Sequence, residues 1–393
     1  MLASIALLIL GLWAVLGVVN ARRPARTWWL MGGSWIAAWV ATELAPHLVL
    51  GGTALAVILV VVGALEHTVG WIGLAGVIIA DAVAIPLILR ALTTAAALEE
   101  IVDELDPHES VKRYPRRHIA FPWLAWRRRD IRRVNGIRYR GRRKLDVYLP
   151  LSEAEEPRPA IVHVHGGAWM IGSRREQGVP LLGHLAANGW VGFNVDYRLS
   201  PRATWPDHLD DIRSAIDWVR EHAGEYGVDP SFIAITGGSA GGHLSALAGL
   251  TIPGIAACVP FYGVYDLVDE ERRHVPTLQH ILERYVFKVR RRDDPDRFRQ
   301  ASPTFRVHPD APPFFVIHGE SDSLVPVEEA RVFADRLREV SRERVLYAEM
   351  RGGQHAFDVI PSWRTIPVIE AIERFLATVR AARTGAATER AAG

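Results

Sequence analysis

Phe232-Ile233-Ala234-Ile235-Thr236-Gly237-Gly238-Ser239-Ala240-Gly241-Gly242 is the stretch that decides the fold. A short apolar, β-branched run gives way to a serine bracketed by small residues, and an apolar helix start follows. This is G-x-S-x-G in the setting it requires: strand, tight turn, helix. Small neighbours are a steric necessity there, because the turn holds the serine strained with its hydroxyl exposed. The helix that begins at the turn aims backbone N–H groups and the positive end of its dipole at the same point. An ordinary glycine-rich turn is the plain alternative, and the setting favours Ser239 as a nucleophile.

Outward from this point, short apolar runs recur at residues 160–165, 190–196, 256–262, 314–318 and 345–350, with helical patterns clearest at 206–226 and 327–341. Strands alternating with helices predict an α/β fold, a mostly parallel sheet covered on both faces. Chemistry in such a sheet belongs at the carboxyl ends of its strands. His165-Gly166-Gly167-Ala168-Trp169 ends one such run. Its adjacent glycines let the backbone approach a substrate and aim N–H groups at one point. With the N–H of Ala240, those of Gly166 and Gly167 are expected to form an oxyanion hole. His165 itself precedes the serine and is expected to shape the loop.

The acid and the base should follow the serine in that order. Gly319-Glu320-Ser321-Asp322-Ser323-Leu324-Val325-Pro326 follows the run 314–318, and Arg351-Gly352-Gly353-Gln354-His355-Ala356-Phe357 follows the run 345–350. His355 is the candidate base and Asp322 the acid that holds its tautomer, with Glu320 as the competing acid. His163, His184, His208 and His318 are expected to be structural. No H-E-x-x-H or paired-cysteine motif occurs, so neither a metal nor another cofactor is indicated. The single cysteine, Cys258, lies in an apolar run and is expected to be a buried, inert thiol.

Taken together these residues resemble the hormone-sensitive-lipase-like branch of the α/β-hydrolases, which includes bacterial carboxylesterases. The matches are His165-Gly166-Gly167, Asp196-Tyr197-Arg198-Leu199-Ser200-Pro201, Gly237 to Gly242, the Gly319 to Pro326 loop and His355-Ala356-Phe357, spread over residues 140–375. The resemblance implies the α/β-hydrolase fold and a carboxylic ester as substrate, and it implies a mainly structural role for Asp196 to Pro201. Two features depart from that branch. Gly238 stands where it usually has Asp, as in feruloyl-esterase-like and formamidase-like relatives. The amino-terminal helices that normally cap the pocket are replaced by something else.

That replacement is nearly free of charge. A net charge of +2 averages two unlike materials, and it points to no nucleic-acid partner. Residues 2–19, 27–42, 44–65 and 68–89 are apolar runs, the last interrupted by Asp81 and Pro86. A cleaved signal peptide would account for the first run alone. Four membrane spans are expected, or three if the short second run does not cross. Asp81 should then face other helices or water. Arg22, Arg23 and Arg26 favour the cytoplasm for the first loop, so four spans would leave the catalytic half outside the cytoplasm. Arg90 and the basic residues from Lys112 onward pull the other way. The chain divides into a transmembrane region (1–90), a linker or cap (91–135), a catalytic domain (136–380) and a flexible tail (381–393). In the linker, Phe121-Pro122-Trp123-Leu124-Ala125-Trp126 precedes Arg127, Arg128 and Arg129. Rings beside guanidinium groups suit a headgroup layer, or equally a segment packed on the domain.

The expected protein is a multi-pass membrane serine esterase acting on a small-molecule or lipid ester. Acyl transfer or deacetylation of a membrane-associated lipid or glycan would use the same residues, and a tethered binding module is the non-enzymatic alternative. A charged excursion at residues 266–303 reads as a pocket wall or a surface loop. Because Ser239, Asp322 and His355 all follow residue 107, a catalytic half detached there is expected to keep its activity.

Overall fold

The computed structural model describes residues 1–25, 27–103, 105, 112–153 and 156–392. Arg26 of the arginine cluster and residues 106–111, near the expected point of detachment, lie outside them.

The apolar first quarter forms α1 (Leu2–Arg22), α2 (Trp28–Glu43), α3 (Ala45–Val61) and α4 (Thr68–Leu92). α1 and α4 run side by side in the same direction. Leu7 packs with Val77 at one end, Val18 with Ala80 and Ala84 in the middle, and Ala21 with Leu87 at the other. Small residues permit this. A Cβ on Gly73 would lie 2.4 Å from the Leu7 backbone, and one on Gly11 would lie 2.2 Å from the Gly73 carbonyl oxygen, the close approach that helices in lipid use for contact. Large apolar side chains such as Leu2, Leu16, Ile72 and Ile78 point outward.

Among the described residues, Leu2–Arg22 and the helical stretch Thr68–Val102 are each long and apolar enough to cross a membrane. α2 and α3 pass that test only as a pair, and they meet at 84°. The four expected spans therefore become two, or three if the bent pair is one. Apolar composition reports withdrawal from water but not what replaces the water. α2 turns out to be withdrawn by the catalytic domain on one side and by the bundle on the other.

The catalytic half is built on an eight-stranded sheet in the order β1-β2-β4-β3-β5-β6-β7-β8. Its strands are β1 (Ile131–Arg140), β2 (Arg143–Pro150), β3 (Arg158–Val164), β4 (Val191–Val195), β5 (Val228–Gly238), β6 (Ile255–Phe261), β7 (Phe314–Gly319) and β8 (Val345–Met350). β3 to β8 are parallel, and β1 and β2 add an antiparallel edge. That edge escaped the sequence reading because Arg132, Arg133, Arg138 and Arg140 interrupt β1, a composition that suits an outer strand. One face buries Phe193, Ile235 and Leu244; the other buries Ile161, Phe315 and Ile372. The last helix, Thr365–Ala392, continues through most of the stretch expected to be a flexible tail, where alanine favours helix.

Part of the linker packs on the domain and part stays exposed. Arg128 pairs with Asp130 and stands over the Tyr114 ring, and the Trp126 indole donates to the Arg175 carbonyl at 3.2 Å. Phe121 and Trp123 stay half exposed, next to Ala120, whose carbonyl is 3.2 Å from His47 Nε2 at the start of α3.

Candidate active site

Ser239 sits between β5 and the helix Ala240–Thr251 at φ 58° and ψ −121°, a conformation that costs a non-glycine residue about 1–3 kcal/mol. The strain is held by packing and by the Ser239 N–H, which donates to the Phe261 carbonyl at 3.0 Å. Gly238 is glycine here for a visible reason: a Cβ would lie 2.5 Å from the Tyr262 hydroxyl. The Tyr262 hydroxyl donates instead to Asp358, whose carboxyl is pushed up to about 6 by burial.

The loops after β7 and β8 bring the acid and base together. His355 Nδ1 donates to Asp322 Oδ2 at 2.6 Å. Asp322 Oδ1 accepts the N–H groups of Leu324 and Val325, both at 2.8 Å. Burial by itself would raise the Asp322 carboxyl, but His355 and His318 beside it hold it well below the usual carboxylate range. His318 is thus more than a packing residue. Its Nε2 lies 3.2 Å from Asp322 Oδ2, so two imidazoles share one carboxylate. Gln354 is a second residue the sequence reading passed over. Its Oε1 accepts from the Ser323 N–H at 2.8 Å and the His355 N–H at 3.0 Å, tying the acid loop to the base loop. Adjacency to His355 in Gly353-Gln354-His355 was the available signal. Glu320 is directed elsewhere, accepting the Gly352 N–H at 2.8 Å.

The oxyanion assignment needs one correction. The Gly166 N–H is already used, donating to Gln177 Oε1 at 2.7 Å, because the loop folds back over that side chain. The N–H groups of Gly167, Ala168 and Ala240 have no acceptor among the described residues. Gly166 therefore fixes the loop, and Ala168, with φ 50°, takes its place among the free donors. His165 shapes the loop as expected: its ring stacks on Tyr197 at 4.5 Å and its Nδ1 donates to the Gly166 carbonyl at 2.8 Å. Asp196 accepts from Arg174, a structural role.

Ser239, His355, Gly167 and Ala168 all line one cavity of about 360 Å³. Its walls are apolar. Ile171, Val264, Leu324 and Val325 come from the sheet loops, and Val275, Leu278 and Ile281 come from the charged excursion, which is a pocket wall. Met31 and Trp35 of α2 complete it. The site is therefore not contained in residues after 107. Cutting there would remove two lining side chains and leave Arg364, buried and paired with Glu43 of α2, without its partner. The position of the triad after residue 107 therefore does not carry the expectation that a detached half stays active, because part of the pocket wall leaves with α2.

Residues 145–337 match the BD-FAE family model. Over 236 residues the chain is 49% identical to the probable carboxylic ester hydrolase LipM of Mycobacterium tuberculosis, a match covering 57% of this chain and 55% of that protein. Esterase LipC of the same organism is 43% identical over 259 residues, covering 62% and 64%. The chain thus spans less than two thirds of the length of these relatives. Among solved structures, butyrate-bound esterase 2 of Thermogutta terrifontis superposes with a TM-score of 0.53 at 28% identity, covering 61% of this chain and 92% of that one.

Proposed function

From the match of residues 145–337 to the BD-FAE family model we propose that the chain is a membrane-anchored serine carboxylic ester hydrolase. The observation that carries this reading is the convergence of Ser239, His355 and the Gly167 and Ala168 N–H donors on one mostly apolar cavity, with Asp322 bonded to His355 behind it. His355 Nε2 takes the Ser239 proton as Oγ attacks the ester carbonyl. The N–H groups of Gly167, Ala168 and Ala240 hold the resulting oxyanion, each donor lowering the barrier by about 3 kcal/mol. His355 then protonates the leaving alcohol, and water repeats the sequence on the acyl-enzyme. The esterase names of the relatives support the reaction class. Purified full-length protein should hydrolyse p-nitrophenyl esters and should be labelled by a fluorophosphonate. Absence of both would overturn the reading.

The apolar walls favour an acyl chain over a glycan, and the exposed Phe121 and Trp123 edge suits the headgroup layer. The proposed partner is thus a bilayer whose lipid-borne esters are substrates. On three crossings (α1, α3, α4), the end of α1 bearing Arg22 and Arg23 and the end of α4 bearing Arg90 lie on the catalytic side. The opposite turn has Glu66 and His67 with no Lys or Arg. The excess of positive charge beside the catalytic domain favours the cytoplasm for that domain. This reverses the side argued from four spans. Cys258 is buried, which leaves introduced cysteines readable. In intact cells a membrane-impermeant maleimide should label Glu66→Cys, and Glu339→Cys only after lysis. The opposite pattern would overturn the assignment.

A further inference from the structure

α2 lies between two cavities. Met31, Trp35, Trp39 and Glu43 follow one another at four-residue spacing, which puts them on one face of a helix, and that face meets the catalytic domain. Met31 and Trp35 line the cavity that holds Ser239. The Trp35 indole N–H donates to the His355 carbonyl at 3.1 Å, and the Trp39 indole N–H donates to the Ala356 carbonyl at 2.8 Å. Glu43 pairs with buried Arg364 and accepts from the Ser362 hydroxyl at 2.8 Å. The opposite face of α2, with Ile36, Ala37 and Val40, borders an apolar cavity of about 600 Å³ inside the bundle.

The two carbonyls that α2 holds belong to the turn that presents the candidate base. Ala356 in that turn has φ 64°, a left-handed conformation that a non-glycine side chain resists. The His355 carbonyl has no other donor among the described residues. The Trp35 ring also stands edge-on to the His355 imidazole, with centroids 6.1 Å apart, and Tyr262 flanks the imidazole at 4.7 Å. The imidazole thus contacts one ring from the loop after β6 and one ring from the apolar first quarter of the chain.

We propose that α2 is a working part of the active site: Trp35 and Trp39 are positioning residues that hold the His355 turn, and Met31 sets the length of acyl chain the pocket accepts. The inference rests on the esterase reading of that site. It gives the apolar first quarter a task beyond anchoring, because a helix seated against the bundle forms the wall along which an apolar acyl chain from the lipid phase reaches Ser239.

The test uses full-length protein in nanodiscs with p-nitrophenyl butyrate and decanoate. Trp39 makes its bond outside the cavity, so Trp39→Phe removes a donor without reshaping the pocket. Its kcat should fall roughly tenfold with KM unchanged, and fluorophosphonate labelling of Ser239 should slow in proportion. Trp71→Phe is the control. Trp71 makes the same kind of bond, to the Leu65 carbonyl at 3.0 Å, at the far end of the bundle, and its loss should leave kcat unchanged. Met31→Ala should raise the decanoate-to-butyrate ratio of kcat/KM several-fold. Equal kcat for Trp39→Phe and Trp71→Phe would overturn the positioning role, and an unchanged ratio in Met31→Ala would overturn the specificity role. Wild-type protein that neither turns over esters nor takes the label would instead overturn the esterase reading, and the role of α2 with it.

Discussion

Ser239→Ala is expected to lower ester turnover by roughly 10⁴- to 10⁶-fold, the scale at which loss of a serine nucleophile leaves only binding and an oxyanion hole. The donors at Gly167, Ala168 and Ala240 belong to the backbone and survive the substitution, so some catalysis above water should remain. The fold should survive as well. The Ser239 hydroxyl takes part in none of the side-chain hydrogen bonds that hold the loops together, and alanine has the same backbone preferences at φ 58°. Fluorophosphonate labelling should vanish while the melting temperature stays within a few degrees of wild type. Turnover of an activated ester within tenfold of wild type would remove Ser239 from the mechanism.

Asp322→Asn should cost about 10⁴-fold in kcat, with Glu320→Gln changing it by less than tenfold. His355 Nδ1 directs its proton at Asp322 Oδ2 at 2.6 Å, and His318 Nε2, which hydrogen-bonds the Val325 carbonyl at 3.1 Å, lies 3.2 Å from the same oxygen. An amide NH₂ placed there would meet the His355 donor with a donor. The relief is for His355 to move its proton to Nε2, which removes the lone pair needed to accept from Ser239. Glu320 has no such position; its carboxylate caps the Gly352 N–H, a bond worth about 1 kcal/mol of local stability. If Glu320→Gln proves the more damaging change in a pre-steady-state and steady-state comparison, the acid has been misassigned.

The candidate chemistry of this protein is carried by local signals, and most of the candidate site was therefore legible in the sequence by itself. A strained serine elbow needs small residues at fixed offsets. An acid and a base at the carboxyl ends of late strands are found once the strands are found. Ser239, Asp322 and His355 needed no tertiary information to be named, and neither did the α/β class. What required the tertiary structure are contacts between residues far apart in the chain. Gln177 takes the Gly166 N–H from eleven residues away, so no reading of His165-Gly166-Gly167 could show which donors remain free. His318 shares Asp322 with His355 only because β7 and its following loop bend back on themselves. The largest difference concerns α2. Its composition is that of a membrane span, because hydropathy records how strongly a segment avoids water and is silent on what else it touches. The contacts of Trp35 and Trp39 with a turn more than 300 residues later, and the 84° bend after Glu43, decide that this helix faces the active site on one side and the bundle on the other. A charge-free run can satisfy either surroundings, and only packing chooses between them.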